Sequence, residues 1–401
     1  MDTLQNKDNT IILHLCLSKI YNYQAELFFK IKKLVCYQFR NKEELQQAVD
    51  FYTNDYTHSE TYNKYFHISL WDTSLITDMS KLFYQKKDFN ENINVWDVSK
   101  VTNMESMFQE CNNFNQPLNS WDVSQVTTME SMFDTCSKFN QPLNSWNTSQ
   151  VKNLKYMFLK CLKFNQNLES WVVSGVTKMD GLFAECSLFN QPLNCWDVSS
   201  VLDMTEMFYE CDSFNQPLNA WNTSRVKNMD SIFYRCKNFN QPLNLWNVSN
   251  VENMQLMFYN CVKFNQPIHS WNVSNVRNMG YMFYKCAIFN QPLNSWDVSQ
   301  VTKMTKMFSL CSKFNQPLNE WDTARVTNMK YMFSGCKEFN QPLNNWNTHL
   351  VENMEYMFSE CKNFDQPLDN WKTHNVENME GMFNECQYFN QYLNSWNVSK
   401  V

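Results

Sequence analysis

From Trp71 onward the apolar positions of the chain recur every 25 residues. Tryptophan marks the step, from Trp71, Trp96 and Trp121 through to Trp396, and no tryptophan stands outside the series. Phenylalanines from Phe89 to Phe389 and from Phe108 to Phe383 keep the same step, as do 12 cysteines from Cys111 to Cys386. All 10 prolines share one phase, from Pro117 to Pro367. Residues 71 to 395 hold 13 such periods, and a six-residue stub, Trp396 to Val401, follows.

Two rhythms lie inside one unit, taken from Phe114 to Lys138. Leu118, Trp121 and Val123 follow the spacing of a leucine-rich-repeat strand segment, with Trp121 and Val123 on one side and Ser120 and Asp122 on the other. Val126, Met129, Met132, Phe133 and Cys136 are then spaced 3, 3, 1 and 3 apart, which predicts one stripe along a short helix. The Phe-Asn-Gln-Pro segment closes the coil, and with only 5 glycines in the chain asparagine is expected to supply the special turn conformations. No unit of this size buries its own apolar face, so stacking must. The expected fold is an α/β repeat solenoid, leucine-rich-repeat-like, of about thirteen coils at about 4.8 Å each, every coil a short parallel strand plus a short helix. Stacked Trp, Phe, Met and Cys ladders form its expected core.

Residues 1–70 lie outside the array and are expected to form an N-terminal helical segment and cap; residues 71–401 are the repeat domain. The pattern predicts helices around Ala25–Val35 and Lys42–Tyr52, covering the open end of the first coil. Charges interrupt the apolar stretch at 10–37, so no membrane span is expected, and no secretory signal is apparent. An intracellular setting is therefore the expectation. The last unit has no cap, which predicts cover by a partner, self-association through the C-terminal coil, or a frayed last coil.

Composition narrows the function. At 16% aromatic and 18% charged residues the chain is not of the disordered class. A net charge of −6 gives no electrostatic reason for a nucleic-acid partner. Without C-x2-C pairs no zinc site is expected, and the methionine stripe reads as core filling rather than a copper site. The cysteine ladder reads as reduced, buried thiols, with Cys195, in another phase, as an exposed one. No phosphate-cradling glycine loop and no catalytic constellation is present, so catalytic residues, cofactor and metal are all expected to be none.

The unit W-[DN]-[VT]-S-x-V-x-x-M-x-x-M-F-x-x-C-x-x-F-N-Q-P-L-N resembles the BspA-like surface-protein repeats, also known as domain of unknown function 285, over residues 38–401. Phe39–Val49 and His67–Ser74 resemble that family's entry segment. The resemblance implies a fold similar to leucine-rich repeats, a role in adhesion or protein binding, and no catalytic residues. With the Asn-, Lys-, Tyr- and Phe-rich usage it suits a large DNA virus or a mycoplasma.

Departures from the repeat's own consensus cluster on the outward strand face of coils 320–374: Glu320, Arg325, Asn345, His349, Asn370, Lys372 and His374. They are the candidate protein-binding patch, with drift on a solvated face as the plainer reading and a metal held between His349 and His374 as a third. The chain is thus expected to be a non-enzymatic protein-interaction scaffold. Its alternatives are a structural or adhesive surface protein, and an F-box-like ubiquitin-ligase adaptor using residues 10–37.

Overall fold

A computed structural model describes residues 36–54, 61 and 64–401. The helix expected at Ala25–Val35, and all of the F-box-like stretch but Cys36 and Tyr37, lie outside the described residues. The chain divides into two compact units, residues 1–175 and 176–401.

In the first unit, α1 spans Lys42–Asn54. Asn41 opens it: its Oδ1 accepts the Glu44 N–H at 2.9 Å, while the Glu44 carboxylate reaches back to the Arg40 N–H at 2.9 Å. Leu45, Ala48, Val49 and Tyr52 form its buried face. The helix lies over the first coil, tied by Gln46 Nε2 to the Leu82 carbonyl (3.0 Å) and by Lys86 to Asp50 (2.9 Å). A 3-10 turn, Ile68–Leu70, leads into the repeats.

The coils differ from the expected strand and helix. None of residues 71–401 lies in an α-helix or an extended strand. Neighbouring coils meet instead through single-residue parallel bridges, such as Asn103↔Thr128↔Asn153 in the first unit and Asn228↔Asn253↔Asn278 in the second. The pairing sits where the helix was expected. Met104, Ser106, Phe108 and Glu110 donate their N–H groups to the carbonyls of Thr128, Glu130, Met132 and Asp134 in the next coil, at 2.7–3.1 Å. Met107, Gln109 and Cys111 turn back to the carbonyls three residues earlier. With alternate N–H groups committed to a neighbour, no α-helical ladder can form. The segment expected as a strand makes only local turns, Trp121 N–H to Leu118 and Val126 N–H to Val123.

The apolar spacing explains the misreading. Leu118–Trp121, Val123–Val126, Met129–Met132, Phe133–Cys136 and Cys136–Phe139 each bracket a three-residue hydrogen-bonded turn with both ends buried. Threes that imitate one side of a helix are here a succession of tight turns. The turn conformations mostly fall outside the asparagine positions. Two positions per coil have φ of 50–76°, for example Ser106 and Glu110, or Tyr281 and Lys285, and among them asparagine appears at Asn260. Asparagine instead forms a hydrogen-bonded column: Asn115 Oδ1 accepts both the Asn140 N–H (2.9 Å) and Gln141 Nε2 (3.1 Å).

Within each unit tryptophans of neighbouring coils stack nearly parallel, as Trp121, Trp146 and Trp171 or Trp321, Trp346 and Trp371 do with centroids 6.1–6.5 Å apart, and beyond Trp71, which reaches Phe66, their indole N–H groups reach the Leu or Ile carbonyl of the preceding coil, as Trp146 does to Leu118 at 2.9 Å. Hydrogen-bonded backbones lie closer, at about 4.8 Å. Each coil is therefore a wedge, thin at the paired segment and thick at the tryptophan. Ladder positions at 383–396 depart from the buried pattern: Phe383, Phe389, Leu393 and Trp396 are only half-buried.

The cysteine ladder is a column of thiols. Cys136, Cys236 and Cys336 are fully buried, and each Sγ–H donates to a phenylalanine carbonyl one coil back, at 2.9–3.0 Å. Burial pushes these thiols far up from their ordinary range. Cys195 is exposed. In native protein near pH 8, an aromatic disulfide reagent is expected to modify Cys195 at once. The buried ladder thiols should react about a hundredfold or more slowly, on unfolding. Rapid native modification of the ladder would contradict this packing.

Candidate functional site

Each paired segment leaves some of its side chains half-buried at the surface, and in the second unit these include tyrosine. Tyr209, Tyr234, Tyr259 and Tyr284 occupy one position of successive coils and stack at 4.4, 4.5 and 4.6 Å. The column then shifts by three residues. Tyr281 meets Tyr284 at 5.9 Å, and Tyr331 stacks on Tyr356 at 5.0 Å. Lys306 bridges the two runs, its ammonium 5.4 Å from the Tyr281 ring and 4.9 Å from that of Tyr331. Arg235 lies over Tyr234 at 5.4 Å and Lys285 over Tyr284 at 5.3 Å. All these rings are half-buried, and several hydroxyls bond within the stripe or to its carboxylates, as Tyr209 and Tyr259 do with Tyr234 and Tyr356 does with Glu380. The wedge shape of the coils puts the stripe on the thin side.

Local surroundings raise four of these phenols, Tyr209, Tyr259, Tyr331 and Tyr356. Burial and then the neighbouring Tyr234 push Tyr209 up to about 12 and raise Tyr259. Burial raises Tyr331, and the hydroxyl of Tyr356, donating to Glu380 at 2.9 Å, is held up by that bond. Lys330 is fixed by Glu355 at 2.7 Å and Arg235 by Glu210 at 2.8 Å. The stripe is thus a row of hydroxyl donors and cations backed by aromatic rings, which suits recognition rather than proton transfer. Among the described residues no group of three or more His, Cys, Asp or Glu gathers to hold a metal ion.

Sequence reading missed this stripe, although the signal was there: 9 of the 11 tyrosines in residues 71–401 fall in 2 of the 25 repeat positions. The candidate patch lies elsewhere on the coil. Glu320, Arg325, Asn345, Asn370, Lys372 and His374 are exposed, and His349 is half-buried. Most of these residues are absorbed in coil geometry. His349 Nδ1 contacts its own turn's Asn347 Oδ1 at 2.8 Å, the Asn370 N–H donates to Asn344 (3.0 Å), and the Lys372 N–H to Thr348 (2.8 Å). His349 and His374 are equivalent positions one coil apart, and no third ligand gathers with them among the described residues. Glu320 alone borders a cavity, a shallow groove of about 740 Å³ shared with His269, Trp296, Asp297 and Asp322.

Coils that bury ladders of identical side chains, and carry variable residues only on their rims, define a tandem-repeat protein. The chain belongs to the family described as Mycoplasma protein of unknown function, DUF285, which matches residues 52–171, 152–261, 243–333 and 311–401. No curated protein matches the sequence. Among solved structures, the crystal structure of a leucine-rich repeat protein from Bacteroides ovatus is similar at 14% identity, with a TM-score of 0.36, over 73% of this chain and 82% of that one. Among the described residues no helix is long and apolar enough to cross a membrane.

Proposed function

We propose that this chain is a non-enzymatic protein-interaction scaffold, and that a protein partner docks on the tyrosine stripe of the second unit. The observation that carries the reading is the run of outward Tyr209, Tyr234, Tyr259 and Tyr284 continuing through Lys306 to Tyr331 and Tyr356. Tyrosine and arginine dominate binding hot spots because they offer large area, little rotamer entropy and a polar tip. The coil form does not require tyrosine at this position. At the position of Tyr284, later coils carry Ser309, Ser334 and Ser359.

Those serines supply the test. Proximity labelling in the native setting compares the full chain, the triple variant Y234S/Y259S/Y284S, and a chain with consensus residues at Glu320, Arg325, Asn345, His349, Asn370, Lys372 and His374. The triple variant is expected to lose its labelled neighbours by about tenfold or more, while the consensus chain keeps them. Equal labelling by the triple variant and the unaltered chain would overturn the assignment.

A further inference from the structure

Charge along the paired segments is not spread evenly. The three successive segments 277–285, 302–310 and 327–335 carry Arg277, Lys285, Lys303, Lys306 and Lys330 and not one carboxylate. The next segment, 352–360, carries Glu352, Glu355 and Glu360 and no cation. The carboxylates that coils 277–335 do hold, Asp297, Glu320 and Asp322, all lie in the other half of the coil. In a chain of net charge −6 this is a local excess of positive charge.

Of the five cations, Lys330 alone is paired among the described residues, with Glu355 at 2.7 Å. Lys285 and Lys306 are not among the ion pairs of the described residues and rest against the rings of Tyr284, Tyr281 and Tyr331. A cation over a ring face keeps its outer side open to an anion. The Tyr331 hydroxyl is held by Glu355, so the lysines supply the attraction. We propose that this face, around Tyr281, Tyr284, Lys285, Lys306 and Tyr331, docks an acidic peptide segment of the protein partner. The inference rests on the reading that the stripe binds protein, and adds the chemistry of what binds.

The ring geometry favours a peptide over a nucleic acid. Single-stranded nucleic acids use aromatic residues as stacking platforms, which requires open ring faces. Here the faces are closed on one another at 4.5–4.6 Å or covered by lysine, so they do not serve as stacking platforms. Carboxylates can meet the ammonium groups without any ring face.

The test is fluorescence anisotropy of full-length protein with two labelled peptides of equal length, one glutamate-rich and one lysine-rich. The glutamate-rich peptide is expected to bind at least about tenfold tighter, and to weaken severalfold on raising the salt. The pair Lys285→Gln and Lys306→Ser puts there residues that other coils carry, Gln85 and Ser106, so the fold is retained, which the melting curve checks. That pair is expected to weaken binding about tenfold, and the Lys→Arg pair to restore it. Equal binding of the two peptides, unaltered binding by the Gln/Ser pair, or tighter binding of a single-stranded oligonucleotide would each overturn the proposal. Failure of the glutamate-rich peptide while Y234S/Y259S/Y284S still abolishes partner labelling removes the acidic assignment alone. Failure of both measurements removes the docking reading with it.

Discussion

Raising the pH from about 8 to about 10 is expected to unfold the protein, with stability falling on the order of 10 kcal/mol. The cause is the thiol column. Cys111, Cys136, Cys211, Cys236, Cys261, Cys286, Cys311, Cys336 and Cys361 are all fully buried, and burial raises each thiol far above its ordinary value near 9. A thiol is neutral when protonated, so the folded state holds protons that the unfolded chain releases near pH 9. The stabilising effect is therefore complete below pH 9 and is lost as pH rises beyond it. Each such thiol contributes a slope of about 1.4 kcal/mol per pH unit above that point. One unit above it, nine thiols together match the whole stability of an ordinary domain. Burial raises Tyr52 in the same direction, with onset above pH 10.

Urea unfolding under reductant and inert gas, repeated from pH 8 to 10.5, gives the dependence directly. The variant C211A/C236A/C261A separates this cause from a general alkaline effect. It should be less stable near neutrality through lost packing, yet its slope should fall by about three protons. Stability flat to pH 10.5, or a slope unaltered in the triple variant, would show that the ladder is not sealed from water.

How much of this the residues announced depends on which physical quantity is asked for. Translational identity is written directly in the chain. Like side chains 25 apart must stack to be buried, so the Trp, Phe, Met and Cys columns of the core are legible from spacing alone. The conformation inside a coil is set by where backbone N–H groups go, and side-chain identity does not fix that here. Val126, Met129, Met132, Phe133 and Cys136 satisfy one face of a helix and the corners of successive three-residue turns equally well. The inter-coil bonds from Met129, Ser131, Phe133 and Thr135 decide for the turns. The left-handed positions are also silent in sequence, being held by Ser131 and Thr135, by Tyr281 and Lys285, or by Lys306 and Leu310. Their conformation is imposed by neighbours on both sides rather than by local preference. The tyrosine stripe was readable as columns. Its outward placement followed only once the paired segment was known.

Replacing Trp346 with alanine is expected to destabilise the second unit by about 5 kcal/mol. The indole is 2% exposed and lies between Trp321 at 6.1 Å and Trp371 at 6.4 Å, with Phe333 at 6.0 Å. Its Nε1–H donates to the Leu318 carbonyl at 2.9 Å. Truncation of a buried aromatic costs about 3–5 kcal/mol, and the orphaned carbonyl adds about 1–3 kcal/mol. Trp346→Phe keeps a ring in the stack and loses the donor with part of the ring volume, so a cost between the two, about 3 kcal/mol, is expected. Trp396→Ala is the internal control. That ring is half-buried and stacks on Trp371 at 6.2 Å, so its truncation should cost less than half as much. Because each coil leans on its neighbours, the loss at Trp346 should be local first. Hydrogen exchange is expected to speed at the inter-coil amides of Met329, Tyr331, Phe333, Met354 and Tyr356, while those of Met104 to Glu110 in the first unit keep their protection. If Trp346→Phe proves as damaging as Trp346→Ala, the hydrogen bond outweighs the stack. If neither variant loses more than about 1 kcal/mol, the tryptophan column is not what holds the coils in place.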